Sequence, residues 1–181
     1  MRLFTAIDIP ADIRARLRAL MDRLRPAAKL SWSPVDNMHV TTKFIGEWPE
    51  QKVPELKDAL SLVPKPGTFE IAVRGLGWFP NAKNPRVFWA GIEVAEPLRK
   101  LAYDTESTLA AMGVPVEDRD FHPHLTLARR RDPVPLDKLR GILDALSPDS
   151  SEFGAFTATS FFLYLSANGR YTKLEEVPLA A

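Results

Sequence analysis

Two stretches of the chain, residues 3–9 and 87–94, alternate apolar and polar positions over the length of a β-strand. After each stretch the apolar spacing changes to three and four positions, which is the period of a helix with one buried face. Ile13, Leu17, Leu20 and Leu24 predict the first helix. A longer set that stops before Gly113 predicts the second: Leu98, Leu101, Thr105, Thr108, Leu109 and Met112.

The pattern occurs twice. A shift of 85 positions, the difference between the numbers of His39 and His124, also aligns Thr41 with Thr126 and residues 4–9 with residues 89–94. In each half a strand, a helix and a histidine-bearing strand are followed by a second helix, near residues 52–61 and 137–146, and a further strand at 69–76 and 156–165. The sequence thus predicts one domain, residues 1–181, made of repeat halves at about 1–85 and 86–181.

Strands that pair across such a duplication, with helices between them, predict an α+β fold of two similar lobes about a pseudo-twofold axis. Equivalent residues would then face each other across the groove between the lobes. Near the C-terminus, residues 160–166 and 171–177 predict a hairpin, since Asn168 and Gly169 suit a two-residue turn.

Composition narrows the class of protein. The 181 residues are 45% hydrophobic, enough for one core, and the absence of cysteine excludes disulfides, thiolate metal sites and cysteine nucleophiles. Asp8 interrupts the N-terminal apolar stretch, unlike a signal peptide, and no membrane-spanning apolar run follows, so we expect a cytoplasmic protein. A net charge of +1 gives no global attraction to nucleic acid, and any phosphate must be bound locally.

The duplicated His-x-Thr pattern carries the candidate chemistry. Alternation along a strand places His39 and Thr41 on one face, and His124 and Thr126 on the equivalent face of the other half. Two imidazoles beside a phosphate can cleave it by in-line displacement, because one deprotonates water while the other protonates the departing ribose oxygen. The threonine hydroxyls can bind the non-bridging phosphate oxygens. This chemistry needs no metal or other cofactor.

The residues after each motif are candidates for substrate binding. Strict alternation places Lys43 and Arg130 on the histidine face and Arg129 off it, and a β-bulge would reverse this order, so the choice between the arginines stays open. A guanidinium group there could bind phosphate through two nitrogens. Phe44 is the aromatic residue best placed to stack on a base.

The third histidine, His122, breaks the repeat, since its equivalent is Asn37. We expect it to have a structural or supporting role. His122 and His124 could share a zinc ion, but no cysteine is present and no carboxylate has a typical ligand spacing, so no metal site is predicted.

The segments 39–46 and 121–129 resemble the paired signature of the 2H phosphoesterase superfamily, and most closely its RNA 2′,3′-cyclic phosphodiesterases, long called 2′-5′ RNA ligases. Residues 1–4, 86–89 and 169–172 also look like family segments, so the resemblance spans nearly the whole chain. One departure is Thr42, where the family usually has an aliphatic residue; a buried hydroxyl there would need a partner.

The resemblance implies two antiparallel sheets that form a central V-shaped groove, with helices outside. It also implies hydrolysis of the cyclic phosphate to a 2′-phosphomonoester, minor reversible 2′-5′ ligation and no cofactor. By position, His39 resembles the general acid and His124 the base, with the labels exchangeable. Thr41 and Thr126 match phosphate-binding positions; Phe44 and Arg129 match positions that contact the nucleotide.

Two other functions remain open on the sequence. The chain could be a nucleotide-binding regulatory module, or a phosphodiesterase for 2′-5′ oligoadenylate or an ADP-ribose cyclic phosphate. The expected partners are RNA ends or nucleotides with a 2′,3′-cyclic phosphate. We expect no membrane association and no obligate protein partner, hence a monomer, because the repeat supplies both halves of the site.

Overall fold

The computed structural model describes residues 1–181, which form nine strands and four α-helices. The strands are β1 (Arg2–Asp8), β2 (Ser31–Trp32), β3 (His39–Glu47), β4 (Phe69–Phe79), β5 (Val87–Glu93), β6 (His124–Arg129), β7 (Glu152–Ala158), β8 (Ser160–Ala167) and β9 (Arg170–Pro178). The helices are α1 (Ala11–Leu24), α2 (Val53–Ser61), α3 (Glu96–Ala110) and α4 (Asp137–Ala145).

The strands form two antiparallel sheets. The first sheet has the order β3-β1-β8-β9, and the second has the order β2-β6-β5-β4-β7. Every strand pair within them is antiparallel. This confirms the α+β class and the two predicted sheets, with one histidine motif in each.

Each sheet takes strands from both sequence halves. β8, from the second half, pairs with β1 in the first sheet, and β4, from the first half, pairs with β5 in the second. The prediction of one strand over residues 156–165 is wrong, because the chain leaves the second sheet at Ala158 and enters the first at Ser160. β-prone residues continue through Thr159, so periodicity gives no sign of this crossing.

The predicted helical faces are buried as expected, including Ile13 and Leu17 of α1 and Leu98 and Leu101 of α3. They join one continuous apolar core that also contains residues of both sheets. Because the sheets share this core, their relative positions are fixed by close packing. The longest helix has 15 residues, and none is long and apolar enough to span a membrane.

The predicted C-terminal hairpin is confirmed. β8 and β9 pair from Ser160↔Pro178 to Ala167↔Arg170. Asn168 and Gly169 make the turn with φ angles of 54° and 72°, in the left-handed region that such two-residue turns require.

The buried hydroxyl of Thr42 has the partner that the sequence called for. Thr42 is 6% exposed, and its hydroxyl lies 2.7 Å from that of Thr5, which is fully buried on β1. The two hydroxyls satisfy each other, which allows a threonine at this core position.

Thr42→Val should therefore lower the free energy of unfolding by about 1–3 kcal/mol, because it leaves the Thr5 hydroxyl buried without this partner. The double variant Thr5→Val with Thr42→Val removes both hydroxyls and should be more stable than either single variant. Urea unfolding of the four proteins measures this. Additive losses in the double variant would contradict the pairing.

Candidate active site

Each histidine strand contains an extra residue at the same repeat position. In the first sheet Ala6 pairs with Thr41 and Thr5 with Lys43, so Thr42 is the additional residue of β3. In the second sheet Trp89 pairs with Thr126 and Phe88 with Ala128, which makes Leu127 the additional residue of β6. A bulge reverses the alternation of side chains beyond it.

The first bulge corrects the prediction for Lys43. Lys43 pairs in register with Thr5 on the core side, whereas Phe44 pairs with Phe4. Lys43 is 4% exposed, and its Nζ donates to Glu106 Oε1 and to the carbonyl of Pro115, each at 2.7 Å. The prediction that Lys43 lies on the histidine face is wrong. Its ammonium group joins β3 to α3 and the loop after it, which disfavours the predicted substrate contact.

The second bulge decides between the two arginines. Arg129 pairs in register with Val87 and is exposed on the histidine face. Arg130 lies beyond the end of β6, and its Nε and Nη2 donate to the carbonyl of Val134 at 3.3 Å and 2.7 Å. These bonds hold the loop that leaves β6, which disfavours the predicted binding of substrate by Arg130.

The two histidine rings are held in the same way. His39 Nδ1 lies 3.1 Å from the carbonyl of Asn37, and His124 Nδ1 lies 3.0 Å from the carbonyl of His122. A carbonyl can only accept, so Nδ1 carries the proton in each ring and the neutral form has its lone pair on Nε2. His122 supports the site through this carbonyl, while the residue itself is exposed.

Each histidine packs against an aromatic residue from the other half of the sequence. Tyr164 lies against His39, with ring centroids 4.5 Å apart, and Phe79 lies edge-on to His124 at 5.0 Å. Phe79 and Tyr164 are also 85 positions apart, which is a signal that sequence reasoning missed. The crossed contacts follow from the exchange of β4 and β8 between the sheets.

A carboxylate lies beside His39. Asp8 Oδ1 is 3.6 Å from His39 Nε2, Tyr164 donates its hydroxyl to the same oxygen, and Lys173 Nζ lies 2.5 Å from Oδ2. The residue equivalent to Asp8 is Glu93, which pairs with Arg74 at 3.4 Å instead of approaching His124. The two histidines thus differ in charge environment.

Burial and this cluster perturb three ionisation equilibria. Burial lowers the pKa of His39 below its ordinary 6.5, since its side chain is only 5% exposed; the Asp8 charge and the Asn37 carbonyl oppose this effect without cancelling it. Burial would raise the pKa of Asp8, but the hydrogen bonds from Lys173 and Tyr164 hold it below 3.8. Burial, with Asp8 as hydrogen-bond acceptor, raises the pKa of Tyr164.

The histidine face of the first sheet continues into an aromatic patch, defined as Phe4, Phe44 and Tyr171. The rings of Phe44 and Tyr171 lie 6.2 Å and 5.0 Å from that of Phe4, and Tyr171 lies 5.8 Å from His39. Phe44 is 63% exposed. Exposed rings beside a phosphate site offer a stacking surface for a base.

β3 and β6 come within 8 Å of each other, measured between Cα atoms, so the strands that carry the two motifs are neighbours. Thr41 and Thr126 are half-buried beside their histidines. No group of three or more histidine, aspartate or glutamate side chains is arranged to hold a metal ion. The chemistry available at this face is that of imidazole, hydroxyl, carboxylate and guanidinium groups.

A model of the "LigT like Phosphoesterase" family matches residues 7–89 and 92–171. The RNA 2′,3′-cyclic phosphodiesterase of Thermus thermophilus is 38% identical over 145 residues, which cover 75% of this chain and 71% of the relative. Among solved structures, TT0787 of Thermus thermophilus superposes with a TM-score of 0.79 at 32% identity, and E. coli LigT complexed with 3′-AMP with 0.78 at 28% identity. Both superpositions cover 99% of this chain and 98% of the other.

The assignment of Lys43 leads to a measurable expectation. Lys43→Met should lower the free energy of unfolding by about 3 kcal/mol, because it leaves the partly buried Glu106 carboxylate without its cation. Adding Glu106→Gln should recover part of this loss. A Lys43→Met protein of unchanged stability in urea unfolding, with a raised KM for a phosphate substrate, would show instead that Lys43 binds substrate.

Proposed function

The chain belongs to the LigT-like phosphoesterase family, and we propose that it hydrolyses 2′,3′-cyclic phosphates at RNA ends to 2′-phosphomonoesters, using His39 and His124 and no metal. The observation that carries this proposal is the duplicated arrangement of the two rings. Each has its Nδ1 proton held by the carbonyl two residues earlier and a threonine two residues later on the same face. Nε2 of His39 lies 3.6 Å from Asp8 Oδ1, and Nε2 of His124 makes no hydrogen bond within the protein.

In the proposed reaction His124 Nε2 removes a proton from water, and the water oxygen forms a bond to phosphorus. The bond from phosphorus to O3′ breaks on the opposite side, and His39 Nε2 donates its proton to that oxygen. The product carries a 2′-phosphate and a free 3′-hydroxyl. The reverse sequence, with a ribose hydroxyl in place of water, would give a minor 2′-5′ ligation.

The charge environment supports His39 as the acid. A general acid must hold a proton before the reaction, and the Asp8 carboxylate 3.6 Å from Nε2 offsets part of the effect by which burial lowers the His39 pKa. His124 has no equivalent carboxylate, since Glu93 pairs with Arg74.

The other groups of the face have separate tasks in this proposal. The hydroxyls of Thr41 and Thr126 bind non-bridging phosphate oxygens and support the charge that develops there. Phe44 stacks on a base, and Arg129, at the equivalent position of the second motif, binds a phosphate of the RNA. The equivalent positions 44 and 129 thus carry an aromatic ring and a cation. Because one would bind a base and the other a phosphate, the RNA strand would bind in one direction only.

His39→Ala and His124→Ala should each lower the turnover of an RNA end bearing a 2′,3′-cyclic phosphate by at least about 10², because each removes a proton-transfer group. The assay should identify the product isomer, which is expected to be the 2′-phosphate. His122→Ala is the matched control, since its imidazole is exposed and the backbone carbonyl that holds His124 remains.

Circular dichroism should show that all three variants fold. Dialysis of the wild-type protein against EDTA should leave the rate unchanged. Full activity in both His39→Ala and His124→Ala would remove the proposed mechanism, and a rate abolished by EDTA and restored by a divalent cation would remove its metal independence.

Two charge substitutions test which histidine is the acid. The alkaline limb of kcat/KM follows the pKa of the acid, and the acidic limb follows that of the base. Asp8→Asn removes a charge that raises the pKa of His39, so the alkaline limb should move to lower pH. Lys173→Met removes a charge that lowers it, so the same limb should move to higher pH. Movement of the acidic limb in both variants would assign His39 as the base.

A further inference from the structure

A cavity of about 350 Å³ lies at the end of the histidine face of the first sheet. Residues from both sheets and from α1 line it, where the chain crosses between the sheets at Thr159. Its polar lining is Asp8, Arg14, Thr157, Thr159, Ser160 and Glu176. Asp8 therefore borders both this cavity, named here the crossing cavity, and the ring of His39.

Arg14 is the cation of the crossing cavity. Its Nε is buried and has no hydrogen-bond partner. None of the ion pairs of the protein includes Arg14. A buried guanidinium nitrogen without an acceptor is costly to the folded protein, so an acceptor supplied by a ligand would relieve that cost.

The two carboxylates of the cavity already have donors. Lys173 and Tyr164 bind Asp8, and Ser160 donates to Glu176 Oε1 at 2.8 Å. Glu176 has no cationic partner and can accept another hydrogen bond. Beside these two carboxylates the cavity offers several hydroxyls and one cation, Arg14, which is in no ion pair. A ribose–phosphate unit matches this set, since it combines an anion with hydroxyl donors.

The position of the crossing cavity relative to His39 indicates which ribose–phosphate unit of the substrate it would bind. The aromatic patch adjoins His39 through Tyr171, and the crossing cavity adjoins it through Asp8. A terminal base on the patch and a cyclic phosphate at His39 would leave the rest of the strand to enter the cavity. The aromatic patch would then bind the terminal base, and the crossing cavity would bind the part of the strand that precedes it.

We propose that the crossing cavity binds the ribose–phosphate unit preceding the terminal nucleoside, with Arg14 on its phosphodiester and Glu176 on a ribose hydroxyl. This inference rests on the proposed function. It makes the protein an enzyme of oligonucleotide ends, which binds the strand beyond the reacting nucleotide. Arg14 is a specificity-determining residue and takes no part in proton transfer.

The test compares a cyclic mononucleotide, adenosine 2′,3′-cyclic phosphate, with a diadenosine dinucleotide that ends in the same cyclic phosphate. The wild-type kcat/KM should be at least about tenfold higher for the dinucleotide, the scale of one charge-assisted hydrogen bond. Arg14→Ala should lower the ratio of the two constants toward one, and Arg14→Lys should keep part of it. The ratio cancels the effect of the Arg14 charge on His39.

Arg23→Ala is the matched control. Arg23 lies on the same helix and is exposed, and its replacement removes the same charge, so the ratio should stay at the wild-type value. The thermal midpoint of Arg14→Ala should equal or exceed that of the wild type, because no intramolecular bond is lost. A midpoint several degrees lower would assign Arg14 a structural role and overturn the proposal.

Two further outcomes separate the subsite from the catalytic function. Hydrolysis of both substrates with equal kcat/KM in the wild type, or an unchanged ratio in Arg14→Ala, would overturn the crossing cavity as a subsite and leave the proposed function intact. Hydrolysis of neither substrate would overturn the proposed function itself, and the subsite with it.

Discussion

Side chains of a strand alternate between two faces, and the extra residues Thr42 of β3 and Leu127 of β6 reverse that alternation beyond the threonine of each motif. Without the bulge at Thr42, Lys43 would share the face of His39 and Phe44 would point to the core; with it, the ammonium is buried on Glu106 and the ring is exposed. The equivalent bulge at Leu127 brings Arg129 to the histidine face. The composition of the site thus depends on two local irregularities in hydrogen-bond register.

The exchange of strands between sheets makes the site a property of the whole chain. His39 packs against Tyr164 of β8, while His124 packs against Phe79 of β4, so each ring is positioned by the other half of the sequence. Lys43 adds another link, from β3 to α3 and Pro115. A single half lacks the nearest aromatic neighbour of its own histidine. The common core then holds the two faces in one arrangement.

Acid–base chemistry needs two groups that differ, and a duplication starts with two that are alike. The difference here comes from the surroundings of the rings. Asp8 approaches His39 and is held by Lys173 and Tyr164, whereas Glu93 turns to Arg74 on the surface. Phe44 and Arg129 show the same asymmetry, since one equivalent position carries an aromatic ring and the other a cation. The fold supplies matched positions, and a few substitutions give them different surroundings.

The sequence by itself determined the α+β class, the helices and most of the strands, the hairpin turn at Asn168–Gly169, and the equivalence of His39 with His124 and of Thr41 with Thr126 in the repeat. These features are local or are set by the repeat, so periodicity, turn chemistry and internal comparison reveal them. Tertiary structure alone decided the faces of Lys43, Phe44, Arg129 and Arg130, the crossing at Thr159 and the positions of Asp8, Tyr164 and Arg14. Each of these depends on hydrogen-bond register or on contact between residues distant in the chain. Neither can be read from the periodicity of apolar residues in the sequence.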